Sequence, residues 1–168
     1  MKPKHSSGAP SLAGFDPKPV DLGWKRILVP LDFTDSSVTA LNYAIPLALR
    51  SGGKLVLLHV VQFPTMPTPA VTGGALGQVK DAHKALTLEA KSRLEEIARE
   101  TCAPGLVIHQ AVTVGVAWDE IVKAAKRLEC DLVVISSHGH TGLLRMLASN
   151  TAEHVVRAAT CPVLCVRG

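Results

Sequence analysis

The stretch KRILVPLD, residues 25–32, contains the strand around which the rest of the sequence is organised. Its apolar run, Ile27 to Val29, is continuous, which is typical of a strand that is buried on both faces of a sheet. Pro30 and Asp32 follow directly and indicate that the chain leaves the sheet at this point. A second continuous apolar run at residues 55–61 predicts another buried strand.

The segment between these two strands has the spacing of an amphipathic helix. Asp35 or Ser36 can cap its start, and Gly52 and Gly53 can close its end. Pro46 lies inside this helix and is expected to kink it. The apolar positions that recur at intervals of three and four residues, and so predict the core-facing stripe, are Val38, Leu41, Ile45 and Leu49.

The rest of the chain repeats this alternation. Residues 62–79 contain three prolines and three glycines and predict a long loop. The elements predicted after it are a helix at 80–100, an edge strand at 106–114, a helix at 118–128, a strand at 131–135, a helix at 151–159 and a strand at 162–167. Strict alternation predicts an α/β fold, a doubly wound parallel sheet of five strands with helices on both faces. Such sheets bind ligands beyond the carboxyl ends of their strands.

Length and composition point to one domain. The chain has 168 residues, which suits a single core. Residues 1–22 are rich in proline, serine and glycine without periodicity, so they are expected to form a disordered tail, and residues 23–168 the domain. The net charge is +4, but most basic residues after the N-terminal segment alternate with acidic ones rather than cluster on one face. This argues against a nucleic-acid-binding protein. No run resembles a membrane span or a signal peptide, so a cytoplasmic location is expected.

The four cysteines are expected to be reduced, structural thiols. Cys161 and Cys165 would lie on the same face of the last strand, roughly 13 Å apart at ~3.3 Å per residue, which is too far for a disulfide. Cys102 and Cys130 are expected to have no cysteine near them.

A candidate phosphate cradle runs from Ser136 to Thr151. Gly139 and Gly142 allow a sharp turn and a close backbone approach to a ligand. Helix starts offer free N–H groups to anions, and the segment Ser149-Asn150-Thr151 opens a predicted helix. Asn150 with Glu153 also fits a purely structural capping box. The P-loop and dinucleotide fingerprints are absent from the sequence.

Several motifs, in order over about residues 24–167, resemble the universal stress protein family. They are KRILVPLD at 25–32, LLHV at 57–60, the segment 136–151, AEHVVR at 152–157 and CPVL at 161–164. The resemblance implies the strand order 3-2-1-4-5, a homodimer, and a stress-responsive regulator that binds adenine nucleotide, ATP with Mg²⁺, without being a dedicated enzyme.

The resemblance also assigns residues to the ligand. The family's nucleotide motif reads glycine, two residues, glycine, nine residues, glycine, then serine or threonine. Here Ser136, Gly139, Ser149 and Asn150 occupy those four positions, so one glycine of three is present and weaker binding of ATP is expected. By resemblance Asp32 meets the ribose or a metal on the phosphates, and the backbone of Val60 holds the adenine. The chain neighbours that complete this cofactor-binding set are Pro30, Leu31, Ile135 and Thr151.

Three other interpretations stay open. Asp32, Ser136 and His138 could imitate a nucleophile triad, although the GxSxG elbow is absent. His138 and His140 with Asp32 could bind a transition metal, but loop histidines facing solvent are the commoner case. The third interpretation, from a different class, is a nucleotide-independent interaction protein that works as a dimer. Slow hydrolysis of ATP also remains open.

His59, within a buried strand, is expected to be a core histidine with its hydrogen bond satisfied.

The last strand, residues 162–167, is expected to form the homodimer interface. Its apolar residues, Val163 to Val166, are followed by no further element that could cover the edge of the sheet. An uncovered apolar edge invites pairing with a second copy.

Deleting residues 1–22 should leave the melting temperature nearly unchanged, because this segment has no apolar periodicity with which to pack. Thermal unfolding of the full chain and the deletion variant, followed by circular dichroism, tests this. A loss of 1 kcal/mol lowers the melting temperature by roughly 2–4 °C at this size, so a larger drop would show that the segment docks on the domain.

Overall fold

In a computed structural model of the protein, which describes residues 23–62, 73–137 and 151–167, strands and helices alternate along the chain. The strands are buried where β-branched and leucine residues run together, and the helices lie where polar residues interrupt them. The elements are β1 (Arg26–Pro30), α1 (Asp35–Ser51), β2 (Lys54–Val61), α2 (Gly73–Glu100), β3 (Val107–Val114), α3 (Ala117–Arg127), β4 (Leu132–Ser136), α4 (Thr151–Ala158) and β5 (Val163–Val166).

All five strands are parallel and lie in the order β3-β2-β1-β4-β5, which confirms the predicted fold and strand order. β1 is central: it pairs with β2 from Arg26 to Pro30 and with β4 at Ile27 and Leu28. β3 and β5 form the two edges, and β3 occupies the edge position that its alternating sequence predicts.

Each face of the sheet carries its own apolar core. On one face Ile27, Val29 and Leu57 pack with residues of α1 and α2. On the other face Leu28 and Leu58 pack with residues of α3 and α4. Successive strand residues point to opposite faces, so β1 contributes to both cores at once and needs apolar residues at consecutive positions.

The predicted core-facing stripe of α1 is wrong in part. Val38 and Leu49 are 38% and 41% exposed, while Leu41 is buried as expected. The residues of α1 that are buried are Ser37, Ala40, Leu41, Ala44 and Ala48. Ile45, also predicted, is half-buried and packs against the core. Small side chains let a helix approach the sheet closely, so three alanines share the core face with Leu41 in place of Val38 and Leu49.

The ends of α1 are set by local hydrogen bonds. Thr34, rather than Asp35 or Ser36, is the N-cap, and its hydroxyl accepts a hydrogen bond from the Ser37 N–H at 3.3 Å. Gly52 closes the helix in the left-handed conformation at φ 66°, as predicted. The helix runs on through the exposed Pro46.

α2 begins earlier than the sequence predicts. It starts at Gly73, within the predicted loop at 62–79, of which residues 63–72 lie outside the described structure. Leu86 was expected in the core stripe but is exposed, whereas Ala90 and Leu94 are buried. Although α2 has 28 residues, neither it nor another helix in the described part of the chain is long and apolar enough to cross a membrane.

All four cysteines are free thiols, but two of their expected positions were wrong. Cys161 lies before β5, not in the same strand as Cys165. Cys130 does have a neighbouring thiol, because Cys161 packs against the apolar cluster that contains it. Burial, with smaller contributions from Cys161 and Asp131, raises the pKa of Cys130 to about 11, so this thiol stays protonated at neutral pH.

A carboxylate joins β1 to the start of β4 at the amino edge of the sheet. Asp131 accepts hydrogen bonds from the backbone N–H groups of Lys25 at 2.7 Å and Arg26 at 3.1 Å. In return, the Asp131 N–H donates to the Arg26 carbonyl at 3.0 Å. Arg26 also forms an ion pair with Glu129 at 2.9 Å, but the Glu129 side chain is 81% exposed.

Asp131→Ala should therefore lower the free energy of unfolding by about 1–2 kcal/mol, since hydrogen bonds to a charged group are lost at the central strand. Glu129→Ala is the matched control: it removes an exposed ion pair of the same arginine and should cost less than about 1 kcal/mol. Chemical denaturation of both variants measures the difference. Equal losses would show that Asp131 does not organise this edge.

Candidate functional site

The carboxyl ends of β1 and β4 meet where the strand order reverses, which is where sheets of this kind bind ligands. β1 and β4 are paired at two positions near their amino ends, before they continue to Pro30 and Ser136. β2, on the other side of β1, ends at Val61. We call the surface beyond Pro30, Val61 and Ser136 the switch-point edge.

Asp32 lies on a tight turn at this edge, between β1 and α1. One of its carboxylate oxygens accepts hydrogen bonds from both the backbone N–H of Thr34, at 3.1 Å, and the Thr34 hydroxyl. Thr34 in turn caps α1, so the carboxylate is held by the start of the helix. The Asp32 side chain is exposed, and it therefore presents a fixed negative charge at the switch-point edge.

The turn is anchored to β2 by backbone and side-chain bonds. The Leu31 N–H donates to the Leu58 carbonyl at 2.8 Å, and the Leu31 carbonyl lies 2.7 Å from Nδ1 of His59. Because a carbonyl oxygen can only accept, Nδ1 of His59 carries the proton in this contact. His59 thus has a hydrogen-bonded ring nitrogen, as the sequence predicts, but it is half-buried rather than part of the core.

Phe33 has an unusual backbone conformation next to Asp32. Its φ of 64° lies in the left-handed region, which a bulky side chain rarely adopts. The ring stacks on His59 with centroids 4.3 Å apart and an interplanar angle of 21°. The guanidinium carbon of Arg93, from α2, lies 5.3 Å from the centre of the Phe33 ring. Sequence reasoning missed this group, because no local pattern joins residues 60 positions apart.

Val60, the residue expected to hold adenine, lies near a polar cluster on β3 and α3. It pairs with Thr113, whose hydroxyl donates to the Glu120 carboxylate at 2.6 Å. That hydrogen bond, aided by Lys123 and opposed by burial, holds the pKa of Glu120 below its usual value. The half-buried Val60 itself contacts the core on the α3 and α4 face.

On the β4 side, Ser136 is half-buried and pairs with Val166 of β5. The next N–H, of Ser137, donates to the Val166 carbonyl at 2.8 Å, which extends the pairing past the end of β4. Thr151 is the first residue of α4. The phosphate-cradle residues between them, Gly139, Gly142, Ser149 and Asn150, lie outside the described residues, as do His138 and His140.

Apart from Thr151, which is half-buried at the start of α4, the described members of the predicted set fall into two groups. Those at the switch-point edge with a partly or fully exposed side chain are Pro30, Asp32, Val60 and Ser136. Leu31 and Ile135 are 2% and 5% exposed, and their side chains pack in the two cores. Any contact of these two residues with a ligand would therefore involve the backbone alone.

Side chains in the described part of the chain do not form a metal site by themselves. Among residues 23–62, 73–137 and 151–167, no group of three His, Cys, Asp or Glu side chains could hold a metal ion. Asp32 supplies a single carboxylate, which suits Mg²⁺ only when phosphate oxygens and water complete its coordination.

Comparisons with known proteins agree with this architecture. The universal stress protein MJ0531 of Methanocaldococcus jannaschii is 33% identical over 145 residues, which cover 86% of this chain and 82% of that protein. The solved structure of MJ0577, from the same organism, is 28% identical and has a TM-score of 0.69. The match covers 86% of this chain and 96% of that one. A universal stress protein solved in complex with cAMP is 25% identical with a TM-score of 0.56, over 86% of this chain and 97% of that one.

The sequence as a whole leads to the same result. Residues 23–167 match the universal stress protein family, which spans every described strand and helix. The curated relative at 33% identity carries the same family name. The chain belongs to the universal stress protein family.

Proposed function

We propose that this protein binds an adenine nucleotide, ATP together with Mg²⁺, at the switch-point edge and acts as a stress-responsive regulator. The observation that carries the proposal is the Asp32 turn, which fixes a carboxylate where the strand order of the sheet reverses. A relative with 25% identity, solved in complex with cAMP, supports a nucleotide as the ligand class.

In this proposal the base lies against the backbone at Val60, and Asp32 meets the ribose or the metal. Ser136 and the start of α4 at Thr151 flank the phosphates, and Gly139, Ser149 and Asn150 hold phosphate oxygens by the family pattern. Backbone N–H groups at a helix start suit this task because they carry partial positive charge. Pro30, Leu31 and Ile135 contribute through the backbone that they hold in place.

Asp32 fits the role of the one protein ligand of Mg²⁺. Thr34 donates two hydrogen bonds that hold the carboxylate in place, and the side chain is exposed. Magnesium is commonly held by one or two carboxylates together with substrate phosphates. When bound, the ion would neutralise phosphate charge next to the Asp32 carboxylate.

The proposed role is binding and regulation, without a dedicated catalytic step. The Asp32 carboxylate is held in place by Thr34, so it can meet a ribose or a metal in a fixed position. Slow hydrolysis of ATP is a separate matter, which a measured turnover of purified protein with Mg-ATP decides.

A second candidate function is that of a dimeric interaction protein that works without nucleotide. Ser136 favours it, because this residue stands at the first glycine of the family's nucleotide motif. A Cβ at this position would take up space that glycine leaves open to a phosphate. In this second case the switch-point edge would no longer bind nucleotide, and the protein would act by forming a dimer that docks on partner proteins.

We also propose that a second copy of this chain covers β5. In the described sheet β5 pairs with β4 on one side and forms an edge on the other. Leu164 is 38% exposed and Cys165 is exposed as well, whereas Val163 packs against the α3 and α4 core. A twofold pairing of two such edges buries the apolar residues and closes the assembly.

Restoring glycine at both altered motif positions, Ser136→Gly with Ser149→Gly, should tighten binding of Mg-ATP by about tenfold, or ~1.4 kcal/mol. The reason is relief of crowding by two side chains, while backbone donors are kept. Asp32→Ala should weaken binding in either background, because a charged partner of ribose or metal is lost. Isothermal titration calorimetry on the four proteins measures these effects.

The four proteins separate the two candidate functions. Binding by the wild type that Asp32→Ala weakens supports the nucleotide site. If neither the wild type nor the double-glycine protein binds at millimolar ATP, the nucleotide proposal is wrong and the interaction protein takes its place.

Leu164→Lys should convert the proposed dimer to a monomer, because a charged side chain would replace an apolar one at the edge that the second copy covers. This residue is a better probe than Val163, whose side chain supports the core. Light scattering at tens of micromolar gives the mass of both proteins, and Leu88→Lys, at an exposed leucine of α2, is the control. A wild-type monomer at that concentration would rule out the dimer.

A further inference from the structure

His59 contacts the residues on both sides of Asp32. Its Nδ1 atom lies 2.7 Å from the carbonyl oxygen of Leu31 and donates the hydrogen bond between them. Its ring also stacks on the ring of Phe33, with the two centroids 4.3 Å apart. The carboxylate proposed to meet the ligand therefore belongs to a residue whose two chain neighbours rest on one histidine.

The fold places His59 on a rigid support next to the turn. The paired positions of β1 and β2 end at Pro30 and Leu58, and β2 continues to Val61. His59 is the next residue after that pairing, and its backbone is still held by β3, where it pairs with Val112. Side chains alternate along a strand, so His59 points to the α1 and α2 face, away from the core in which Leu58 packs.

The hydrogen bond to Leu31 fixes the direction in which the chain enters Asp32. A peptide group is planar, so its carbonyl oxygen and the N–H of the next residue turn together. The Leu31 N–H is bonded to the Leu58 carbonyl, and the Leu31 carbonyl is bonded to His59. The peptide group that leads into Asp32 therefore has little freedom to rotate.

The stack on Phe33 fixes the chain where it leaves Asp32. Phe33 has a φ of 64°, in the left-handed region that a bulky residue adopts only where neighbouring contacts hold it. His59 supplies one such contact, and the guanidinium carbon of Arg93, 5.3 Å from the ring centre, supplies another. Without the histidine ring, Phe33 would be freer to relax toward a common backbone conformation, which would turn the Asp32 carboxylate with it.

The hydrogen bonds between Asp32 and Thr34 do not provide this orientation alone. Both are donated by Thr34, which lies two residues further along the chain. They join the carboxylate to the start of α1, whereas the contacts of His59 join the same turn to the sheet at β2. The carboxylate is held relative to the switch-point edge only when both sets of contacts are present.

We propose that His59 is a positioning residue of this site: it holds the Asp32 carboxylate in the orientation that the ligand requires, through Leu31 on one side and Phe33 on the other. The inference rests on the proposed function, because Asp32 is the residue that meets the ribose or the metal there. It gives the histidine a role in binding that is exerted through Asp32, without a contact of its own with the nucleotide.

His59→Ala should weaken binding of Mg-ATP by about tenfold, because the carboxylate is no longer held in place. In the Asp32→Ala background the same substitution should change the affinity by less than about twofold, since no carboxylate is left to position. His59→Asn, whose side-chain amide can donate a hydrogen bond from nearly the position of Nδ1, should recover part of the loss. Calorimetry, after melting curves that establish folding, gives the affinities, and His109→Ala, at an exposed histidine of β3, is the control.

A second measurement needs no nucleotide. In crystals of His59→Ala, Phe33 should return to a negative φ and the Asp32 carboxylate should change its orientation, because the ring and the hydrogen bond that hold the turn are gone. The same turn should be unchanged in His109→Ala. This comparison tests the positioning role directly on the geometry of the turn.

The two measurements together separate the possible results. A loss of affinity in His59→Ala that disappears in the Asp32→Ala background, with a changed turn, supports the positioning role. No loss, an equal loss in both backgrounds, the same loss in His109→Ala, or a turn that keeps its geometry overturns it while the nucleotide site stands. A wild type that does not bind Mg-ATP at millimolar concentration overturns the proposed function itself, and the role of His59 with it.

Discussion

A strand that is buried on both faces and paired on both sides has no access to water, so its side chains must be apolar and its backbone must be bonded within the sheet. β1 is under this constraint. It lies between β2 and β4, and its three central residues, Ile27 to Val29, are fully buried. Asp131 satisfies the N–H groups at its amino end, and at the other end the Leu31 N–H bonds to Leu58. Asp32, the residue that follows the Leu31–Leu58 hydrogen bond, is the first charged residue after the buried part of β1, and its side chain is exposed.

Features that depend on neighbouring residues could be predicted from the sequence, whereas features that depend on contacts between distant residues could not. The buried strands and the closing glycine of α1 follow from neighbouring residues, and the strand order follows from the family resemblance. The cap at Thr34 was missed because it depends on a side-chain bond to Asp32, whereas Asp35 and Ser36 are equally good caps by residue type. The core face of α1 was misjudged because size, not hydrophobicity alone, decides which stripe can approach a sheet.

The same reasoning applies to the site. Asp32, Val60 and Ser136 could be placed at one edge from the sequence, since parallel strands bring their carboxyl ends together. The stacked group of Phe33, His59 and Arg93 could not, because its members come from three segments of the chain that no local pattern joins. The backbone of Phe33 lies next to the carboxylate at a positive φ, and its ring contacts His59 and Arg93.

The alanine stripe of α1 gives the site a dependence on residues that never touch a ligand. Ala40, Ala44 and Ala48 set the spacing between helix and sheet, and Thr34 and Asp32 sit at the start of that helix. A larger side chain at any of the three alanines would lift the helix and move the carboxylate with it. These three buried methyl groups therefore help to fix the Asp32 carboxylate, although they lie in the core and not at the switch-point edge.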